Sequence, residues 1–386
     1  MGVNWYQESE CSLTDFTTLL REERGAPLQF AARIERDIPL YDCRALRGIS
    51  SDRALQAEWA DVLLNGAGVF VLKHAYDDLH TIDEATRIFE DIVLQERKSG
   101  SAGADHFARA GANDRIWNAQ EKLCLHSPSV FVRYFANPFI KSASEAWLGP
   151  GFQMTSQVNI VRPGGDAQQA HRDYHLGFQT AEEVARFPAH VHTMSPFLTL
   201  QGAVAHSDMP VESGPTKLLP YSQRYAPGYL AWRRDDFRAY FEAHFVQLPL
   251  SKGDALFFNP ALFHAAGANR TQHVQRMANL LQVSSAYGRA METVNRKRMC
   301  EAVFSALLDH KASGWLSDDE VKAVIASCAE GYAFPTDLDR DPPIGGLAPK
   351  TQQALLQEAI DECWSFEALK KALDDQVWRQ GSLSRA

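Results

Sequence analysis

The sequence predicts a β sandwich or barrel bracketed by helices, and two observations carry that expectation. Between about residues 153 and 287 the chain is a series of short β-branched and aromatic runs, QMTSQVNIVRP, SPFLTLQGAVAHS, DALFFNP and ANLLQVSSAY, separated by Gly and Pro clusters. Short strands punctuated in this way favour a sandwich or barrel over a parallel α/β sheet. Before and after this stretch the apolar residues recur at helical spacing. A length of 386 residues fits one large core with helical additions or two intimately packed domains.

In chain order, SLTDFTTLLREERG reads as a short amphipathic helix opened by a Ser or Thr cap, within an N-terminal extension spanning 1–54. SDRALQAEWADVLLNG places Leu55, Trp59, Val62 and Leu63 on one helical face and stops at Gly66. GVFVLKHA follows as a strand, and DLHTIDEATRIFEDIVLQERK as a second amphipathic helix. SGSAGADHFARAGAND, residues 99–114, reads as a long loop of the kind that serves as a lid or binding segment, or as plain surface. The chain is helical again through Ile140–Leu148, then enters the β-rich stretch of a core assigned to 55–290. From 291 to 386, NRKRMCEAVFSALLDH, SDDEVKAVIASCAEG and KTQQALLQEAIDECWSFEALKKALDDQ form a C-terminal helical segment expected to cover a sheet face, with a partner surface as the other reading.

Composition excludes several classes. The formal charge is −9 and the basic residues form no stripe or block, which argues against a nucleic-acid partner. No run approaches the length needed to cross a bilayer, and MGVNWYQESECSLTDF has no basic-then-apolar pattern of a signal peptide. Six cysteines stand far apart, so reduced thiols in a cytoplasmic protein are expected. Nothing in the sequence specifies an oligomer.

Chemistry concentrates in DAQQAHRDYHLGF. In an extended segment, His171 and Asp173 share one face and offer one neutral nitrogen and one anionic oxygen, half of a metal site suited to Fe(II) or Mn(II). KGDALFFNPALFHAAGANR supplies a second imidazole, His264, near the end of a strand that starts at the Gly-Asp turn, a position compatible with the opposite rim of one barrel. Arg276 then opens RMANLLQVS, whose alternation puts Arg276, Ala278, Leu280 and Gln282 on one face. A guanidinium there calls for a bidentate carboxylate.

Taken in order, SQVNIVRPGG, HRDYHLGF, ESGPTKLLPYSQR, GDALFFNPALFHAAGANRT and Arg276 resemble the phytanoyl-CoA hydroxylase family of iron and 2-oxoglutarate oxygenases over roughly residues 55 to 290. The resemblance implies a double-stranded β-helix (jelly-roll) core, with His171, Asp173 and His264 as catalytic iron ligands. It further implies Arg276 on the distal carboxylate of 2-oxoglutarate, and Gln157 as a further contact to that co-substrate. Fe(2+), 2-oxoglutarate and O2 would then be required, with ascorbate as a stimulant, and the expected outcome is hydroxylation of a small molecule with release of succinate and CO2. Where the family has Pro-Gly-Ser-His, this chain has Pro220, Tyr221, Ser222 and Gln223, which alters that turn and no expected ligand. Asp173 occupies the position that related halogenases leave to halide, which disfavours chlorination. The long N-terminal section and extra C-terminal helices suggest a specialised pocket, as in secondary metabolism.

Tyr174, His175, Phe178 and Trp117 are substrate-contact candidates by position. Each has a plainer reading as packing, and His175 also one as a partner of the ligands. His190 and His192 lack a carboxylate at suitable spacing and read as structural, while Arg270 follows a bend and is the weaker carboxylate clamp. Two other functions stay open on the residues alone: a cupin-like metal enzyme that does not use 2-oxoglutarate, and a jelly-roll binding protein without turnover.

Overall fold

A computed structural model describes residues 4–22, 27–99 and 113–381. Among the described residues ten strands form two sheets: β1 (Arg33–Glu35), β2 (Ile38–Asp42), β3 (Val69–Lys73), β4 (Asn113–Ile116), β5 (Gln153–Val161), β6 (Thr199–Ala205), β7 (Lys217–Leu219), β8 (Ala255–Phe258), β9 (Phe263–Ala265) and β10 (Arg276–Ser284). The larger sheet runs β1-β2-β3-β8-β6-β10-β5-β4, and β7 pairs with β9 in the smaller one. Single bridges extend the smaller sheet, from His171 to His264 on one side and from Leu218 to Val246 on the other. This is the β core with flanking helices that the sequence predicts, its two sheets facing each other across a cavity as in a jelly roll.

Register decides what each face of the large sheet does. On β10, Leu280 pairs with Gln157 of β5, Ala278 with Asn159 and Gln282 with Gln201 of β6. Gln201 in turn pairs with Phe258 of β8. Because side chains alternate, all of these point inward and line the cavity. Their neighbours Leu281, Val283, Val158, Leu200 and Phe257 point outward into an apolar core shared with Trp59, Phe89, Phe131, Val303 and Phe304. Trp59 and Phe70 stack there with centroids 5.2 Å apart.

The helices that supply this core follow their sequence signals. Helix Leu13–Arg21 is capped by Ser12, whose hydroxyl accepts from the Asp15 N–H. Helix Arg53–Leu64 is capped by Asp52, and Leu79–Lys98 by Asp78. Helix Asp318–Cys328 carries a reciprocal Ser317–Glu320 capping box. Helices Arg296–Ala312 and Asp318–Cys328 bury Val303, Phe304 and Leu307, and Val321 and Val324, in the outer core. A second apolar layer backs the small sheet: Phe16 of the first helix packs with Tyr225, Phe237 and Phe263.

Three local differences from the sequence reading have physical causes. Arg36 and Asp37 both adopt positive φ (50° and 67°), which closes a tight hairpin between β1 and β2, so residues placed in an N-terminal extension add two strands to the large sheet. The strand that begins after the Gly253-Asp254 turn ends at Phe258. Asn259 then caps a turn by accepting from the Ala261 N–H, Pro260 cannot continue the ladder, and the chain crosses so that His264 lies on β9 of the small sheet. Third, helix Pro128–Phe135 precedes helix Pro138–Leu148, so the helical region starts earlier than Ile140. Most of the 99–114 loop lies outside the described residues; its last two residues, Asn113 and Asp114, open β4. Among the described residues no helix is long and apolar enough to cross a membrane, and all six cysteines are free.

Candidate metal centre and 2-oxoglutarate pocket

His171 and His264 are not on opposite rims. They face each other as a directly hydrogen-bonded antiparallel pair, the His171 N–H donating to the His264 carbonyl at 3.0 Å and the reverse bond measuring 3.1 Å. Their ring centroids lie 4.5 Å apart. Two residues on, the Asp173 N–H donates to the Pro260 carbonyl at 3.0 Å, which swings the carboxylate to the same side. Its oxygens lie 3.5 Å from His171 Nε2 and 3.3 Å from His264 Nε2. Among the described residues this is the one cluster of three His, Cys, Asp or Glu groups whose donor atoms all fall within 4.8 Å of one another.

The backbone sets the tautomers. His171 Nδ1 lies 2.8 Å from the Gln169 carbonyl, and His264 Nδ1 lies 2.8 Å from the Leu262 carbonyl. A carbonyl oxygen only accepts, so both Nδ1 atoms carry the proton and both Nε2 lone pairs point at the shared space. Burial lowers the His171 pKa, which keeps the imidazole neutral and able to ligate. Burial opposes the Asp173 charge, but positive charge on the neighbouring imidazoles, where they are protonated, and the Gln201 amide, whose Nε2 donates to Oδ2 at 2.6 Å, favour the carboxylate and hold it well below the usual range; a divalent cation between neutral imidazoles would act in the same sense. Two neutral nitrogens and one carboxylate with aligned lone pairs fit a divalent first-row metal of the Fe(II) type.

The cluster opens on a cavity of about 500 Å³ whose walls include Arg276, Gln157, Arg115, Tyr174 and Phe178. Arg276 is 7% exposed and donates from Nη1 to the Ser213 carbonyl at 3.1 Å and, more weakly, to that of Gly267 at 3.3 Å. Among the described residues no carboxylate pairs with it, and burial alone lowers its pKa to about 10. A buried cation facing a cavity without an anion is a receptor for one. Arg270, the weaker candidate, is exposed.

The remaining candidates divide. Gln157 lines the cavity, its Oε1 accepting from Arg115 Nη1 at 2.8 Å. Tyr174 lines it as well, with its hydroxyl donating to Gln282 Oε1 and lying 3.2 Å from Met291 Sδ. Phe178 stands at the mouth, 51% exposed. His175 does not reach the cavity, because Tyr174 and His175 take φ of 61° and 44° and break the alternation that would have carried it to the side of Asp173. Trp117 is also displaced: β4 ends at Ile116, and the indole packs beneath the Arg115 guanidinium, 5.4 Å away. His192 is buried and hydrogen-bonded to the Val184 carbonyl, a structural role. Gln223 bonds the Gly66 carbonyl behind the site.

Sequence reasoning missed Gln201, which orients Asp173, and Arg115. Each sits on the cavity face of a strand, and only the cross-strand register with Gln282 and Asn159 reveals it.

The phytanoyl-CoA dioxygenase (PhyH) family model matches residues 51–278. Dioxygenase trt7 of Aspergillus terreus (strain NIH 2624 / FGSC A1156) is 31% identical over 218 residues, which span 55% of this chain and 68% of that protein. Dioxygenase andF of Emericella variicolor is 25% identical over 158 residues, 40% of this chain and 50% of that protein. Among solved structures, the non-heme alpha-ketoglutarate-dependent epimerase SnoN from nogalamycin biosynthesis is similar at 20% identity and a TM-score of 0.40, over 61% of this chain and 84% of that one. With the family match spanning well over half of its length, the chain belongs to the phytanoyl-CoA dioxygenase family, whose cofactors are iron and 2-oxoglutarate.

Proposed function

We propose that this protein hydroxylates an unactivated C–H bond of a small molecule, with His171, Asp173 and His264 holding Fe(II) and Arg276 holding the distal carboxylate of 2-oxoglutarate. The observation that carries the reading is the union, in one cavity, of three aligned donor atoms with a buried guanidinium that has no counter-charge among the described residues. Bound iron with 2-oxoglutarate supplies O2 activation coupled to formation of succinate and CO2. Around it, the carbonyls of Gln169 and Leu262 orient the imidazoles, Gln201 orients the carboxylate, and Tyr174, Gln157 and Phe178 border the space left for substrate. Asp173 fills the ligand position that halide would need, which favours hydroxylation over chlorination. The relatives named as dioxygenases support the same class of reaction, and a product of secondary metabolism is the substrate we would screen first.

The test is iron-dependent succinate release by purified protein, with and without a panel of small-molecule metabolites. Stimulation by a panel member that gains one oxygen atom is expected. If succinate forms at the same rate in Arg276→Met, the clamp is wrong and a metal enzyme that does not use 2-oxoglutarate in this way becomes the better reading.

A further inference from the structure

Arg172 stands between two of the proposed ligands, yet its side chain runs away from the cavity, as alternation on an extended segment requires. It is 2% exposed. Its Nη2 donates to the carbonyls of Ser222 at 2.6 Å and Tyr225 at 3.0 Å. The guanidinium carbon lies 5.2 Å from the ring centroids of both Tyr229 and Phe263. Gly228 leaves room for it, since a Cβ there would fall 2.0 Å from the guanidinium carbon; a Cβ on Gly177 would meet the Arg172 backbone carbonyl oxygen at 2.1 Å.

Burying a cation without an anion is costly, and an apolar side chain of similar volume would hold the fold at lower cost. No carboxylate pairs with Arg172 among the described residues, and burial lowers its pKa to about 10. Its contacts point to another use. Phe263 directly precedes His264, and the Phe263 N–H donates to the Ser222 hydroxyl at 2.8 Å, beside the carbonyl that Arg172 grips. One guanidinium therefore bears on both parts of the triad, through its own backbone on His171 and Asp173, and through Phe263 and Ser222 on His264.

We infer that Arg172 is a positioning residue that locks the His171–Asp173 segment against the strand bearing His264, so that the three donor atoms converge. The inference rests on the metal-centre reading above. It is tested by titrating metal-free protein with Co(II), read by visible absorption, alongside thermal unfolding of the same metal-free samples. In Arg172→Met the Co(II) dissociation constant should rise by roughly 10-fold or more. Arg172→Lys, whose ammonium can reach the same carbonyls without the stacking, should fall between that variant and the unchanged protein. A folded Arg172→Met variant that binds Co(II) with unchanged affinity overturns the inference, whatever its thermal midpoint. If the Met variant does not fold, the Lys variant decides: weaker Co(II) binding supports the role, and unchanged binding or failure to fold overturns it in favour of structural support alone. His171→Ala separates the two levels. Undiminished Co(II) binding there would overturn the metal centre itself, whereas loss there with full affinity in the Arg172 variants would remove only the positioning role.

Discussion

The two faces of β10 are built from one nine-residue run and do opposite things. Outward, Met277, Leu281 and Val283 disappear into the helix-covered core, where shape and apolar area are what matter. Inward, Arg276, Ala278, Leu280 and Gln282 line the cavity, and the first of them is a cation that no carboxylate neutralises among the described residues. One face lowers the energy of the native state and the other spends some of that stability on a site. Substitutions should therefore separate cleanly by parity along this strand.

The largest expected effect is on the inner face. Removing the clamp in Arg276→Met should raise the KM for 2-oxoglutarate by roughly 30-fold or more, the equivalent of about 2–5 kcal/mol for a lost charge-assisted pair. The thermal midpoint of the ligand-free protein should stay the same or rise, since a buried unpaired charge is relieved. A variant that loses stability while keeping its KM would reverse the comparison. Next comes the outer face, where Leu281→Ala should destabilise by about 2–5 kcal/mol in denaturant unfolding and leave the KM for 2-oxoglutarate unchanged in the folded fraction.

A smaller effect is expected at Glu292, which follows Met291 of the cavity wall. Glu292 is held by the Asn118 N–H at 2.7 Å, and burial raises its pKa from 4.5 to about 7. Because the folded state holds the proton more tightly than the unfolded chain, the stability tied to this group is fully present below about pH 4.5 and is lost as pH rises through about 7. Glu292→Gln should flatten that part of the midpoint-versus-pH curve; an identical slope in the variant would reassign the dependence to another group. The smallest effect belongs to Phe178 at the mouth, where Phe178→Ala should change stability by less than about 0.5 kcal/mol in the same unfolding measurement, because the ring is already half exposed.

How far the sequence could be read follows the same division. His171, Asp173, His264 and Arg276 were legible because their side chains are chemically unusual where they stand, and alternation along RMANLLQVS put four residues on one strand face, which in the fold lines the cavity. Helix starts were legible because Ser12, Asp52 and Ser317 cap them by local rules. The misplacements all come from backbone geometry that pattern does not encode. Two successive positive φ angles divert His175, and the Asn259-Pro260 turn moves His264 to the second sheet. Gln201 and Arg172 carry no local signature, since their partners are brought by distant segments.

Central to the proposed function is the convergence of His171, Asp173 and His264 on one metal ion. Anaerobic titration of the metal-free protein with Fe(II) in the presence of 2-oxoglutarate, followed by visible charge-transfer absorption, tests it most directly. Saturation at one equivalent, with the signal lost in Asp173→Ala and His264→Ala while both variants remain folded, is the predicted result. An unaltered signal in either folded variant would contradict it.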